Sequence, residues 1–318
     1  SGTTGSGTLL FRTFESWYGY FETQNRIFGI SGESRLFAQG SLAFTGNLNL
    51  YMGQLAAGGT LIAEDVFLPG KWEQVMARER ANGIYLIPSK LLMLPRVFKG
   101  VNANIRTIIS GSQSLGRKDA EVLKKIFPNT EITLYYGASE LNYITYVKSA
   151  DMTEERNLIG KPFPGVRVFI QDDEMYVDNA FHVENITVPY SLKDSGRMDL
   201  QGNFYFLGRT DDIVGVRGRK VSMMKIENAL EEVAGITEAA VVLLPKEKDA
   251  DMPAEIVSAF VTVEGTDVPE NLRQQLKEKL ADFEIPKRVI VLEAFPKNTS
   301  GKVDKARLKK MWIEQEPQ

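Results

Sequence analysis

The chain has 318 residues, 43% of them hydrophobic and 25% charged, values ordinary for a globular protein and enough for two separate cores. Its 38 Lys and Arg against 41 Asp and Glu leave a net charge of −3, which offers nothing to a nucleic-acid backbone as a partner. With no cysteine there is no disulfide, thiolate metal site or cysteine nucleophile, and the single histidine, His182, has no G-x-S-x-G elbow to serve in a hydrolase triad.

The chain opens on Ser1-Gly-Thr-Thr-Gly-Ser-Gly-Thr8. Glycines interleaved with hydroxyl residues let N–H groups and side-chain hydroxyls converge on a phosphate, which makes Ser1, Gly2, Thr3, Thr4 and Gly5 candidate contacts. No G-K-[ST] follows, so this is not a Walker A loop, and the composition equally suits a linker. From Phe37 to Ile109, apolar stretches at 60–63 and 83–87 alternate with helical patterns such as 71–79, predicting βαβ units and a largely parallel sheet. Phe44, Tyr51 and the methionines read as core. Residues 105–109, a helical 119–126 and a strand-like 131–136 repeat the βαβ arrangement.

Two turns then fall at the carboxyl ends of predicted strands, where open α/β sheets bind ligands: Ser110-Gly-Ser-Gln-Ser-Leu115 and Tyr136-Gly-Ala-Ser-Glu140. Gly111, Ser112 and Gln113 are candidates from the first, and Tyr136, Gly137, Ser139 and Glu140 from the second. Read in isolation, the second turn is better described as a buried strand ending in a Gly turn with an exposed Glu.

Beyond Gly160 the texture changes to short strands punctuated by Pro and Gly, predicting a small β subdomain over 161–208. Its last strand, 203–207, would set Asp194 and Arg209 at opposite ends of a hairpin-like unit. A carboxylate accepts from vicinal hydroxyls and a guanidinium donates in a fixed fork, so the two suit a ribose, or a plain surface ion pair. After a boundary at 208–211 comes an α+β unit, residues 209–318. Ile226, Ala229, Leu230 and Val233 share one helical face, and Leu272, Leu276, Leu280 and Phe283 another, with strands at 239–244, 256–263 and 288–292. Glu227 reads as structural at a helix start. Arg217, Gly218 and Arg219 lie in the basic loop Val216-Arg-Gly-Arg-Lys220, and Lys302 in the lysine-rich Phe295-Pro-Lys-Asn-Thr-Ser-Gly-Lys-Val-Asp-Lys305.

These motifs, in this order, resemble those of the adenylate-forming superfamily of acyl-CoA synthetases, peptide-synthetase adenylation domains and luciferases. SGTTG resembles the start of its phosphate loop, although Gly7-Thr8-Leu9 stands where the family has Pro-Lys-Gly. YGASE resembles its Y-G-x-[ST]-E motif, and Asp194 its ribose-binding aspartate, with Leu192-Lys193 replacing Thr-Gly. Arg209-Thr-Asp-Asp212 resembles GRxDD, and the stretch ending at Lys302 its final P-x-T-x-x-G-K.

The resemblance implies an α/β large domain over 1–208, truncated at its N-terminus, and a mobile α+β domain that turns about Asp211. It implies that Tyr136 faces adenine, Ser139 meets the α-phosphate, Glu140 holds Mg²⁺, and Asp194 and Arg209 hold the ribose. Lys302 would be catalytic, and Arg217, Gly218 and Arg219 would meet coenzyme A. The implied activity is ATP-dependent ligation of a small carboxylic acid, fatty or aromatic, to coenzyme A through acyl-AMP. Alternatives are an adenylation domain loading a carrier protein, and a nucleotide-binding module without turnover. With no apolar run near about 18 residues and no signal segment, a cytoplasmic protein without a membrane span is expected.

Overall fold

The structure, a computed structural model, describes residues 9–216, 218–246, 255–297 and 303–314, apart from the side chain of Asp211. The predicted βαβ alternation builds the first half of a sheet. Strands β1 (Arg35–Gln39), β2 (Thr60–Glu64), β3 (Gly83–Tyr85), β4 (Thr107–Gly111) and β5 (Glu131–Ala138) run parallel in the spatial order β2-β1-β3-β4-β5. Helices Thr45–Ala56, Pro69–Arg78 and Arg117–Ile126 lie between them in sequence.

Apolar residues cover both faces of this sheet. Phe37 and Ile108 point into one core with Trp72, Met76 and Phe127, whereas their neighbours Leu36, Ala38 and Ile109 join another with Tyr20, Phe28 and Leu50. A sheet buried on both faces needs such unbroken apolar strands, each large side chain contributing about 1.5–3 kcal/mol.

Strand boundaries differ from expectation at β3 and β4, among others. β3 stops at Tyr85, because Ile87 becomes the N-cap of a short helix, Pro88–Leu91, whose first residue has no N–H to give a ladder. β4 begins at Thr107 and continues to Gly111.

β6 (Asn142–Lys148) returns antiparallel from β5. Then β7 (Leu158–Pro162), β8 (Arg167–Gln171), β9 (Glu174–Asp178), β10 (Tyr190–Met198) and β11 (Phe204–Arg209) extend the order as β6-β7-β11-β10-β9-β8. The short Pro- and Gly-punctuated strands are thus hydrogen bonded to the large sheet through β7 and β11.

The chain divides into two compact units. One runs to Leu192 and resumes over Gly196–Phe206; the other takes Lys193–Ser195 and the chain from Leu207 onward. In the second unit, β12 (Ile213–Val216) and β13 (Arg219–Ser222) form a hairpin, followed by helix Met223–Glu231. Ser222 caps that helix by accepting from the Lys225 N–H, while its hydroxyl donates to the Leu207 carbonyl at 2.7 Å. β14 (Ile236–Pro245) pairs antiparallel with β15 (Glu255–Val263), which pairs parallel with β16 (Arg288–Val291).

The second predicted helix is shorter than its apolar spacing suggests, covering only Leu272–Lys277. Glu284 accepts the Ala281 N–H at 2.9 Å and holds the chain in a turn, from which Leu280 and Phe283 still reach the core. No described helix is long and apolar enough to cross a membrane.

Candidate functional site

In the first unit the parallel register sets Gly111 beside Tyr135, so the turn after β4 lies next to Tyr136 and Gly137 on β5. Gly111 has to be glycine, since a Cβ there would stand 2.7 Å from a Tyr135 ring carbon. Ser112 follows in the left-handed region at φ 70, at a cost of about 1 kcal/mol for a residue with a Cβ. It is exposed, and Gln113 fixes the turn by accepting the Ser89 N–H at 2.9 Å.

The strand expected over 131–136 runs on to Ala138, so Gly137 too is part of β5, whose register shifts between Tyr136 and Gly137. A bulge at this place turns the following residues away from the ladder. Gly137 is forced by a close backbone: a Cβ would stand 2.5 Å from the Asn142 carbonyl oxygen. The half-buried Tyr136 ring lies 5.9 Å from the Phe206 ring.

Ser139 and Glu140 occupy the turn into β6 and are held on several sides. The Ser139 hydroxyl lies 2.9 Å from the Thr45 hydroxyl at the first turn of helix Thr45–Ala56. The Ser139 carbonyl accepts from the Arg12 guanidinium at 3.1 Å, and the Glu140 carbonyl accepts the Val183 N–H at 2.9 Å. Arg12 also donates to the carbonyls of Phe181 at 2.6 Å and Ser16 at 3.1 Å. Burial pulls the Arg12 guanidinium below its usual range, and the Glu140 carboxylate pushes it back up.

No group of three or more His, Asp or Glu side chains able to hold a metal occurs among the described residues. Glu140 supplies one hard oxygen donor on a braced turn, which fits a Mg²⁺ ion held mainly by phosphates and water.

In the second unit Asp194, only 8% exposed, sits on β10 directly after Lys193 at φ 61. Arg209 ends β11, with its Nε 3.6 Å from an Asp194 carboxylate oxygen. The two therefore stand side by side on neighbouring strands, not at opposite ends of a hairpin, because β10 and β11 are hydrogen-bonded neighbours. The backbone of Asp211 lies in the 3-10 turn Thr210–Asp212. Gly218 takes φ 77 between β12 and β13, and the exposed Arg219 lies over the Phe283 ring at 4.7 Å.

Glu227 lies in the middle of helix Met223–Glu231, not at a helix start, and there it accepts the Val241 N–H at 2.6 Å and pairs with Lys305 at 2.7 Å. Phe44, expected in the core, is 43% exposed, because it is the extended residue that precedes helix Thr45–Ala56. Ser1, Gly2, Thr3, Thr4, Gly5, Arg217 and Lys302 lie outside the described residues. Val303, next to Lys302, forms an antiparallel bridge with Lys297.

Sequence reasoning passed over Arg12 and Thr45. Arg12 is the first basic residue after the Ser/Gly/Thr loop, a visible signal; Thr45 carries none, since a lone threonine before an apolar helix is commonplace.

Residues 1–180 match the AMP-binding enzyme family, and residues 225–302 match the AMP-binding enzyme C-terminal domain. The chain is 26% identical to an uncharacterized acyl-CoA ligase, YhfT, of Bacillus subtilis, over 100% of this chain and 68% of the relative. Its fold resembles that of ATP-bound MatB from Rhodopseudomonas palustris, with a TM-score of 0.84 at 22% identity, covering 99% of this chain and 67% of that one. It also resembles the O-succinylbenzoate coenzyme A synthetase MenE of Bacillus subtilis in complex with ATP and magnesium ion, with a TM-score of 0.83 at 20% identity over 97% and 68% of the two chains. With the first family match spanning more than half of its length, this chain belongs to the AMP-binding enzymes of the adenylate-forming superfamily.

Proposed function

We propose that this chain carries the nucleotide chemistry of an AMP-forming acid:thiol ligase. The observation behind the reading is the succession of ring, hydroxyl and carboxylate at Tyr136, Ser139 and Glu140, delivered by one bulged strand end beside the glycine turn at Gly111. In the reaction a substrate carboxylate oxygen attacks the α-phosphorus of ATP. The bond to the bridging oxygen of pyrophosphate breaks, giving acyl-AMP. A thiol, that of coenzyme A, then attacks the acyl carbon and releases AMP.

Tyr136 offers a face to adenine, flanked by Gly111, Ser112, Gln113 and Gly137, and the Ser139 hydroxyl donates to an α-phosphate oxygen. Glu140 holds Mg²⁺, which when bound neutralises phosphate charge. Asp194 and Arg209 take the ribose hydroxyls, and Ser1, Gly2, Thr3, Thr4 and Gly5 cradle the outer phosphates. Lys302 places an ammonium where carboxylate and α-phosphate, both anionic, approach one another. Rotation about Asp211 exchanges Lys302 for the Arg217, Gly218 and Arg219 loop, which meets coenzyme A.

Acid-dependent pyrophosphate exchange, run on the complete protein with a panel of carboxylic acids, tests the reading. Exchange with at least one acid, lost by about a hundredfold or more in Lys302→Ala, is the expected outcome. Undiminished adenylation by that variant would remove Lys302 from the mechanism. Comparing thioester yield with coenzyme A and with a carrier protein identifies the acceptor.

A further inference from the structure

Arg12 lies outside every motif assigned above, yet its guanidinium meets three carbonyls from parts of the chain far apart in sequence: Ser16, Ser139 and Phe181. We propose that Arg12 is a positioning residue for magnesium-nucleotide binding, fixing the turn that carries Ser139 and Glu140. The proposal rests on the reading of Ser139 and Glu140 given above.

Two observations carry it. The first is geometric. The planar fork clamps the Ser139 carbonyl from one side while Thr45 holds the Ser139 hydroxyl from another, so the residue is fixed at both its backbone and its side chain. The Phe181 carbonyl that anchors the fork belongs to a segment which itself holds the turn: the neighbouring Val183 N–H donates to the Glu140 carbonyl, and Asn179 donates to the Leu141 carbonyl at 2.6 Å.

The second is electrostatic. The guanidinium interacts favourably with the Glu140 carboxylate from a partly buried position, where such an interaction is screened less than in water. Arg12 acts on the turn in this way through the Ser139 carbonyl, without meeting the ligand. Residues of this kind behind a metal-binding carboxylate commonly matter about 10- to 100-fold.

A purely structural clamp would alter stability alone. A positioning residue alters how strongly magnesium promotes nucleotide binding. The experiment is calorimetric ATP binding by the complete protein with and without Mg²⁺, together with melting curves, for the parent, Arg12→Met and Arg12→Lys. Met keeps the aliphatic stem; Lys keeps the charge but loses the planar fork.

Arg12→Met is expected to weaken binding of Mg–ATP by about tenfold or more while changing metal-free ATP binding much less, with partial recovery in Arg12→Lys. Equal weakening with and without Mg²⁺, or no weakening, overturns the proposal. If Arg12→Met does not fold, Arg12→Lys decides: a selective loss of the magnesium effect supports the proposal, and an unchanged one overturns it. A parent that binds Mg–ATP but exchanges no pyrophosphate with any acid defeats the ligase reading and leaves the Arg12 comparison valid. A parent that binds no Mg–ATP defeats both.

Discussion

Thr45 and Ser139 meet hydroxyl to hydroxyl at 2.9 Å although 94 positions separate them in the chain. The contact joins the start of a helix on one side of the parallel sheet to the turn that follows its bulged strand, and it orients a hydroxyl assigned to the α-phosphate.

Thr45→Val keeps the shape of the side chain and removes the oxygen. Because Thr45 follows the N-cap position, the helix should persist. The Ser139 hydroxyl, losing one neutral hydrogen bond worth about 1 kcal/mol, should cost about fivefold in KM for ATP. Exchange kinetics at varied ATP measure this, and an unaltered KM would mean that Ser139 is oriented by something else.

Gly137→Ala drives a Cβ to 2.5 Å from a backbone oxygen that no rotamer can clear. The β5–β6 turn must shift, at a cost of about 1–3 kcal/mol. Urea denaturation should show this as a lower midpoint with an unchanged slope; wild-type stability would show that the bulge relaxes freely.

Asp194→Asn preserves size at a nearly buried site and removes the charge facing Arg209. If Asp194 accepts from the ribose, ATP affinity should fall about 10- to 100-fold, and discrimination between ATP and its 2′-deoxy analogue should shrink. Competition binding with both nucleotides reads the outcome, and full discrimination retained by the variant would assign the ribose elsewhere.

Glu227 titrates upward from its ordinary value of 4.5, because burial outweighs the stabilising Lys305 ammonium. The folded state therefore takes up the proton more readily than the unfolded chain. Its contribution to stability is fully present below 4.5 and is lost as pH rises through the raised folded value. Relative to Glu227→Gln, which does not titrate, the parent should lose stability as pH rises over that window, as thermal melts at several pH values would register. Glu227→Ala, which strips the Val241 N–H of its acceptor, should cost about 1–3 kcal/mol at neutral pH. A parent and Gln variant with parallel pH profiles would show that burial does not perturb this carboxylate.

The parallel half of the sheet was legible in the sequence because local physics writes it there. Apolar residues on both faces, as at Leu36, Phe37 and Ala38, and helical spacing between strands are properties of adjacent residues. Tyr136, Ser139 and Glu140, proposed here for the nucleotide, stand within five positions of one another, so the motif they form is visible along the chain. The helix through Phe283 was misread because apolar spacing continues past the point where the Glu284 carboxylate turns the chain.

By itself the sequence determined the alternation of elements and the order of the chemical motifs. Only the tertiary structure decided that β11 joins β7, that Asp194 and Arg209 lie side by side, and that Arg12 and Thr45 both brace Ser139. Backbone periodicity is a short-range quantity, whereas a polar side chain finds its partner wherever the packed sheet brings a donor to an acceptor. Such partnerships leave no repeating pattern along the chain.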